Sequence, residues 1–201
     1  MRAINSGRLA VCGLAMITSA AVQAQPQQNQ TDERAIELEL SDETAQLRYI
    51  TDTDLVEQPN SELAYALFLS EERDVVGSAA LMIGTDLDTG ALSVQFGPQA
   101  YVGLLSEENN DVFALAFGLQ ARLELIRSRD IAVVGHAFWS PDVLTFGSAD
   151  NLTDFMARAE MRLTDRLLGF AGYRWFELDL FGQPDRKLQN ELFAGVRWQL
   201  R

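Results

Sequence analysis

Between Val112 and Ile126 the residue type switches at every step. Phe113, Leu115, Phe117, Leu119, Ala121, Leu123 and Leu125 fall on one face of an extended chain. Val112, Ala114, Ala116, Gly118, Gln120, Arg122 and Glu124 fall on the other. A period of two marks a β-strand whose faces meet different surroundings. At about 3.3 Å per residue and a tilt of about 40°, the apolar stripe covers roughly 30 Å of height, close to the hydrocarbon core of a bilayer.

The same period recurs along the chain. Ile36, Leu38 and Leu40 oppose Glu37 and Glu39; Ala45, Leu47 and Tyr49 oppose Gln46 and Arg48. Ser61–Ser70, Val75–Gly84, Leu92–Leu104, Ile131–Trp139, Thr153–Leu163, Leu167–Leu180 and Leu188–Leu200 follow, separated by polar turns such as Asp88-Thr89-Gly90 and Thr164-Asp165-Arg166. These are ten candidate strands. The loop Thr51–Asn60 is long for a turn on the side that bears the N-terminus, so eight strands plus an N-terminal hairpin is the alternative count. Three stretches are irregular. Pro98 lies inside a strand and predicts a bulge or bend. Ser140–Asn151 reads as strand-free. Neither register of Leu167–Leu180 gathers Arg174, Glu177 and Asp179 on one face, which suggests a bulge near Tyr173.

Alternation also occurs in soluble barrels, so the decisive point is which face is apolar. Here one face collects most of the Leu, Val and Phe, while the other collects Gly, Ala, Ser, Gln and charges of both signs. The interior of a small barrel does not hold all those large apolar side chains, so they belong outside, against lipid. The expected fold is all-β: a small antiparallel transmembrane β-barrel over residues 35–201.

The N-terminus supports export. Arg2 and Arg8, the apolar run Leu9–Ile17 and Val22-Gln23-Ala24 read as a signal peptide over 1–24, with a polar, flexible lead-in over 25–34. The only cysteine, Cys12, lies within that signal, so neither disulfides nor a cysteine metal site is expected in the mature chain. The formal charge of −13 becomes −15 when cleavage removes the two arginines. Such an acidic chain lacks the basic footprint of a nucleic-acid binder.

The hairpin IELELSDETAQLRYI, the signal peptide and the closing ELFAGVRWQL give the chain a layout that resembles the YfaZ family of predicted outer-membrane proteins. The resemblance covers essentially the whole mature chain. It implies an outer-membrane location and a barrel fold, and brings no assigned activity. Gly195, Trp198 and Leu200 also resemble an outer-membrane assembly signal, although Phe193 stands where a polar residue is preferred and Arg201 follows where an aromatic would end the chain. Outer-membrane lipid and the barrel-assembly machinery are the implied partners.

Little catalytic chemistry is visible. His136 is the only histidine and shares a face with Ala132, Val134 and Phe138. Without a nucleophile motif beside it, a buried wall histidine is the simpler expectation. One histidine and no mature cysteine argue against zinc, and no cofactor is expected. The charges on the predicted inner face are more informative. Glu37, Glu39 and Arg48 come from the first two strands, and Arg122 and Glu124 from the central one. Asp154, Arg158, Glu160 and Arg162 follow, with Glu191 and Arg197 in the last strand. In a narrow lumen such charges must pair, because an unpaired buried charge costs several kcal/mol. The sequence therefore predicts a non-enzymatic outer-membrane barrel with a side-chain-filled polar lumen and a structural or interaction role. The alternatives are a narrow channel for small solutes, a lipid-modifying barrel enzyme, or a soluble periplasmic ligand-binding barrel.

Overall fold

The computed structural model describes residues 34–53, 61–87, 91–106, 110–126, 130–180 and 184–200. The expected signal peptide with Cys12, the lead-in before Arg34, the turn 88–90, most of the loop after Asp52, parts of the other loop tips and Arg201 lie outside the described residues.

The strands are β1 (Arg34–Ser41), β2 (Thr44–Asp52), β3 (Ser61–Ser70), β4 (Val75–Leu87), β5 (Leu92–Leu105) and β6 (Asn110–Ile126). They continue with β7 (Ile131–Ser140), the short β8 (Thr145–Gly147), β9 (Ala149–Thr164), β10 (Leu167–Leu180) and β11 (Arg186–Leu200). Each long strand pairs antiparallel with its neighbours. β7 pairs with β9, and β11 returns to β1 through Arg34↔Leu200 and Glu37↔Arg197. The result is a closed barrel of ten long strands, as the alternation predicts, with no free sheet edge among them. Below, the proximal end is the one where β1 starts and β11 stops; the distal end is the other.

Closure turns the two strand faces into an inside and an outside. Leu38, Leu47 and Leu67 stand side by side across β1–β3 and are 42, 51 and 46% exposed, although they are large and apolar. Phe117 and Trp139 form another exposed cross-strand pair on β6 and β7. Tyr65, Tyr173, Trp175 and Trp198 also point outward, whereas Tyr101 is turned fully inward. The interior is tight enough that a large side chain lies over a glycine of the next strand. A Cβ on Gly118 would come within 2.4 Å of the Phe138 ring, and one on Gly195 within 2.4 Å of the Phe170 ring.

Four irregularities resolve differently from the sequence expectation. Pro98 makes no register-shifting bulge: Ala80↔Gln99 and Ile83↔Phe96 keep one register on either side of it, the β4 ladder is interrupted opposite Gly97 and Pro98, and Pro98 itself pairs with Phe117 of β6. Inward and outward positions alternate without a break along β10, with Leu168, Phe170, Arg174, Phe176 and Leu178 buried inside and Tyr173 and Trp175 facing out; its register against β9 shifts only near the strand ends, at Leu167/Leu168 and Asp179/Leu180. Arg174 therefore belongs to the lumen and Glu177 and Asp179 to the outer wall, so no common face is needed. The bulge lies in β11, where Leu188 is the extra residue between the pairs Phe176↔Gln189 and Glu177↔Lys187. It turns Leu188 inward beside Gln189, against the outward position that strict alternation gives it. Finally, Ser140–Asn151 is not strand-free. A single 3-10 turn at Asp142–Leu144 leads into β8, which pairs with Val112–Ala114 of β6 beyond the point where β7 leaves, and β9 already starts at Ala149.

Candidate functional site

The lumen is filled in layers, and the strand register decides what enters each. Distal halves contribute apolar residues: Phe68 of β3, Val76 of β4, Leu105 of β5, Val112 of β6, Leu152 of β9, Leu178 of β10 and Leu188 of β11 belong to one buried cluster. Phe176 packs edge-on against Phe68 at 5.7 Å between centroids and lies 5.7 Å from the Tyr101 ring. The alternation does not announce this apolar layer, because each strand adds at most three residues to it, several of them alanines. Above it, buried Asp74 accepts hydrogen bonds from the Ser106 backbone N–H at 3.0 Å and from Arg186 Nη2 at 3.0 Å, tying three distal connections together.

Beneath the apolar layer sits Asp154, wholly buried. Arg174 grips it with two hydrogen bonds, Nε to Oδ1 at 2.8 Å and Nη2 to Oδ2 at 2.7 Å. Tyr101 donates its hydroxyl to Oδ2 at 2.9 Å, and His136 Nε2 lies 3.3 Å from Oδ1. Arg174 also donates to Gln46 Oε1 at 2.6 Å, stands 3.9 Å from Glu39 Oε1 and lies over the Phe176 ring at 4.8 Å. A forked guanidinium held by a carboxylate and stacked on an aromatic ring is the arrangement that arginine, and not lysine, can fill.

A second ion cluster occupies the proximal side. Arg158 donates to both oxygens of Glu37, at 3.2 and 2.8 Å, and from Nε to Glu160 at 2.9 Å. Arg197 donates to Glu37 from the other side, and Arg122 to Glu160. Phe170 stacks beneath Arg158 at 4.3 Å and completes a small apolar patch with Met156, Leu168 and Phe193.

Of the residues expected to form a lumenal network, Glu37, Arg122, Arg158, Glu160 and Arg197 are thus joined in one cluster. Asp154 and Glu39 join a second around Arg174. Arg48 faces a cavity of about 20 Å³ between these clusters and the small residues Ala64, Ala66, Ser78 and Ala80. That is room for about one water molecule. Along its edge Gln120 donates to Gln95, and Gln95 to Glu62. Three of the expected residues stand apart. Glu191 accepts the Ser41 hydroxyl at the distal end, Arg162 pairs with Asp130 in an exposed bridge, and Glu124 is exposed near the proximal end. Arg174, Tyr101 and Gln46 are members that the sequence pattern does not single out. The even-numbered run from Leu168 to Leu178 carries the signal for Arg174 once Glu177 and Asp179 are allowed to face outward.

His136 is buried, with Phe138 edge-on at 5.4 Å; its Nδ1 has no partner, and no nucleophile is bonded to it. Glu177, Asp179 and Asp185 gather within 4.8 Å on the distal outer wall, half-buried to exposed. Open acidic groups of this kind repel one another as readily as they bind a cation.

Gly195 is accounted for by the Phe170 ring over it, while Trp198 is 57% exposed on the outer wall. No helix among the described residues is long and apolar enough to cross a membrane.

No curated protein sequence matches the chain. Among solved structures it superposes on a bacterial polysaccharide outer membrane secretin with a TM-score of 0.49 and 14% identity. The match covers 85% of this chain and 66% of that one, just under two thirds of its length. A family model described as YfaZ precursor matches residues 5–200, nearly the full sequence. The chain belongs to the YfaZ precursor family.

Proposed function

We propose that this protein spans the outer membrane of a Gram-negative cell as a non-enzymatic barrel with a structural or interaction role, its lumen closed by its own side chains. The observation that carries the proposal is the inverted distribution of side chains. Neighbouring leucines such as Leu38, Leu47 and Leu67 are about half exposed on the outer wall, while Asp154, Arg158 and Glu160 are buried. Burying a leucine is worth roughly 1.5–3 kcal/mol, so an aqueous home for this wall is unfavourable at many positions together. A bilayer removes that cost, and closure of the ten long strands leaves no open sheet edge facing lipid. The family description as a precursor agrees with export.

The layers in the lumen support its closure. A solute would have to displace the apolar cluster around Phe68 and Phe176 and pull apart ion pairs that are out of water. His136, enclosed by Phe138 and Asp154, is not placed to meet a substrate. The second reading, a narrow solute channel, is favoured by the small cavity beside Arg48. Planar-bilayer recording separates the two. A silent bilayer containing demonstrably folded protein supports closure, and regular conductance steps support the channel.

A further inference from the structure

We propose that the proximal rim of the outer wall holds the headgroup of a zwitterionic glycerophospholipid of the phosphoethanolamine class, with Arg166 on its phosphate and Asp165 on its ammonium. The site rests on the bilayer placement proposed above.

The turn joining β9 to β10 is only Asp165-Arg166, and it is pinned. Thr164 Oγ1 accepts the backbone N–H groups of Arg166 and Leu167, at 3.4 and 3.1 Å. The carbonyl of Arg166 accepts the Gln199 N–H of β11 at 2.9 Å. Beside this turn lies a concavity of about 410 Å³ lined by Thr164, Asp165, Arg166, Leu167 and Trp198. That size falls in the range of roughly 300–1,000 Å³ usual for small-ligand sites.

Its base is apolar: Leu167 and Trp198 are cross-strand partners, and the indole is 57% exposed toward the surroundings. In a membrane-embedded barrel, an outward tryptophan at a strand end stands at headgroup level. Two adjacent side chains of opposite sign at that level match a headgroup that itself carries a phosphate and an ammonium. Guanidinium binds phosphate through paired, charge-assisted hydrogen bonds. A carboxylate accepts the N–H bonds of a primary ammonium, which a trimethylated choline cannot donate. An anionic phosphoglycerol headgroup offers Asp165 no cation. The paired charges thus discriminate among three common headgroups by chemistry and not by size.

The test uses the full folded chain in detergent, offered phosphatidylethanolamine, phosphatidylcholine or phosphatidylglycerol, with retained lipid read by native mass spectrometry. The expected result is retention of the ethanolamine lipid about tenfold above the choline lipid, the factor one charge-assisted hydrogen bond supplies. Arg166→Gln lowers ethanolamine-lipid retention about tenfold, and Asp165→Asn removes the preference over choline. Equal retention of the two lipids by the wild type, or retention unchanged in Arg166→Gln, overturns the site. Unboiled and boiled samples of each protein are compared on the same gel. A heat-shifted but unselective barrel defeats the lipid site alone, and absence of the shift defeats the bilayer placement and the site with it.

Discussion

Replacing Asp154 with leucine removes the acceptor at the centre of the lumen. Arg174 then loses both of its charge-assisted hydrogen bonds to that residue, Tyr101 loses its acceptor, and His136 loses the partner of Nε2. What remains for Arg174 is Gln46 at 2.6 Å and Glu39 at 3.9 Å, a neutral acceptor and a loosely placed carboxylate. Charge centres about 4 Å apart attract by about 4 kcal/mol at an effective dielectric near 20. Stranding one partner of a buried pair typically costs about 3–5 kcal/mol. Asp154→Leu is therefore expected to lower unfolding stability by about 3–5 kcal/mol. The double variant Asp154→Leu/Arg174→Met removes the charge left behind and is expected to be more stable than Asp154→Leu. The assay is urea unfolding in lipid vesicles, with the folded fraction scored by migration of unboiled samples. The coupling energy from the double-mutant cycle isolates the pair. A single-variant loss below about 1 kcal/mol, or a double variant no more stable than Asp154→Leu, would refute the buried-pair account.

The remaining expectations use the same unfolding assay or bilayer recording. Arg162→Ala breaks a bridge whose two side chains are 36 and 50% exposed, so a change of no more than about 1 kcal/mol is expected; a loss near that of Asp154→Leu would mean the proximal mouth is drier than described. Gly195→Ala drives a methyl against both the Phe170 ring and the Leu38 carbonyl and is expected to cost about 1–3 kcal/mol. Adding Phe170→Ala should recover part of that loss, and no recovery would place the strain at the Leu38 carbonyl instead. Phe68→Ala combined with Phe176→Ala hollows the apolar layer, and folded protein of that kind is expected to conduct where wild type does not. Silence in both would show that the ion-pair layers seal the lumen unaided.

Much of this architecture was legible because a barrel wall has only two environments. Strand period and the choice of apolar face follow from single residues, and so do the inward positions of Glu37, Asp154, Arg158 and Glu160. Partnership is less legible. Arg158 meets Glu37 across 121 positions of sequence, a pairing set by where β11 closes onto β1. The distal apolar layer was hidden for a related reason, since Phe68, Leu105 and Leu178 look like isolated exceptions until closure brings them together. Irregularity misled most at β10 and β11. Glu177 and Asp179 lie on the outer wall near the distal end, where the expected lipid-facing apolar pattern gives way. The bulge at Leu188 shifts parity by one residue without any proline or glycine to mark it.

Whether the apolar outer wall faces lipid is decided by heat-modifiable gel migration of protein taken from separated cell fractions. A lipid-facing wall gives recovery in the outer-membrane fraction, with a compact species in unboiled samples that shifts on boiling. Recovery in the soluble periplasmic fraction without any shift would contradict it.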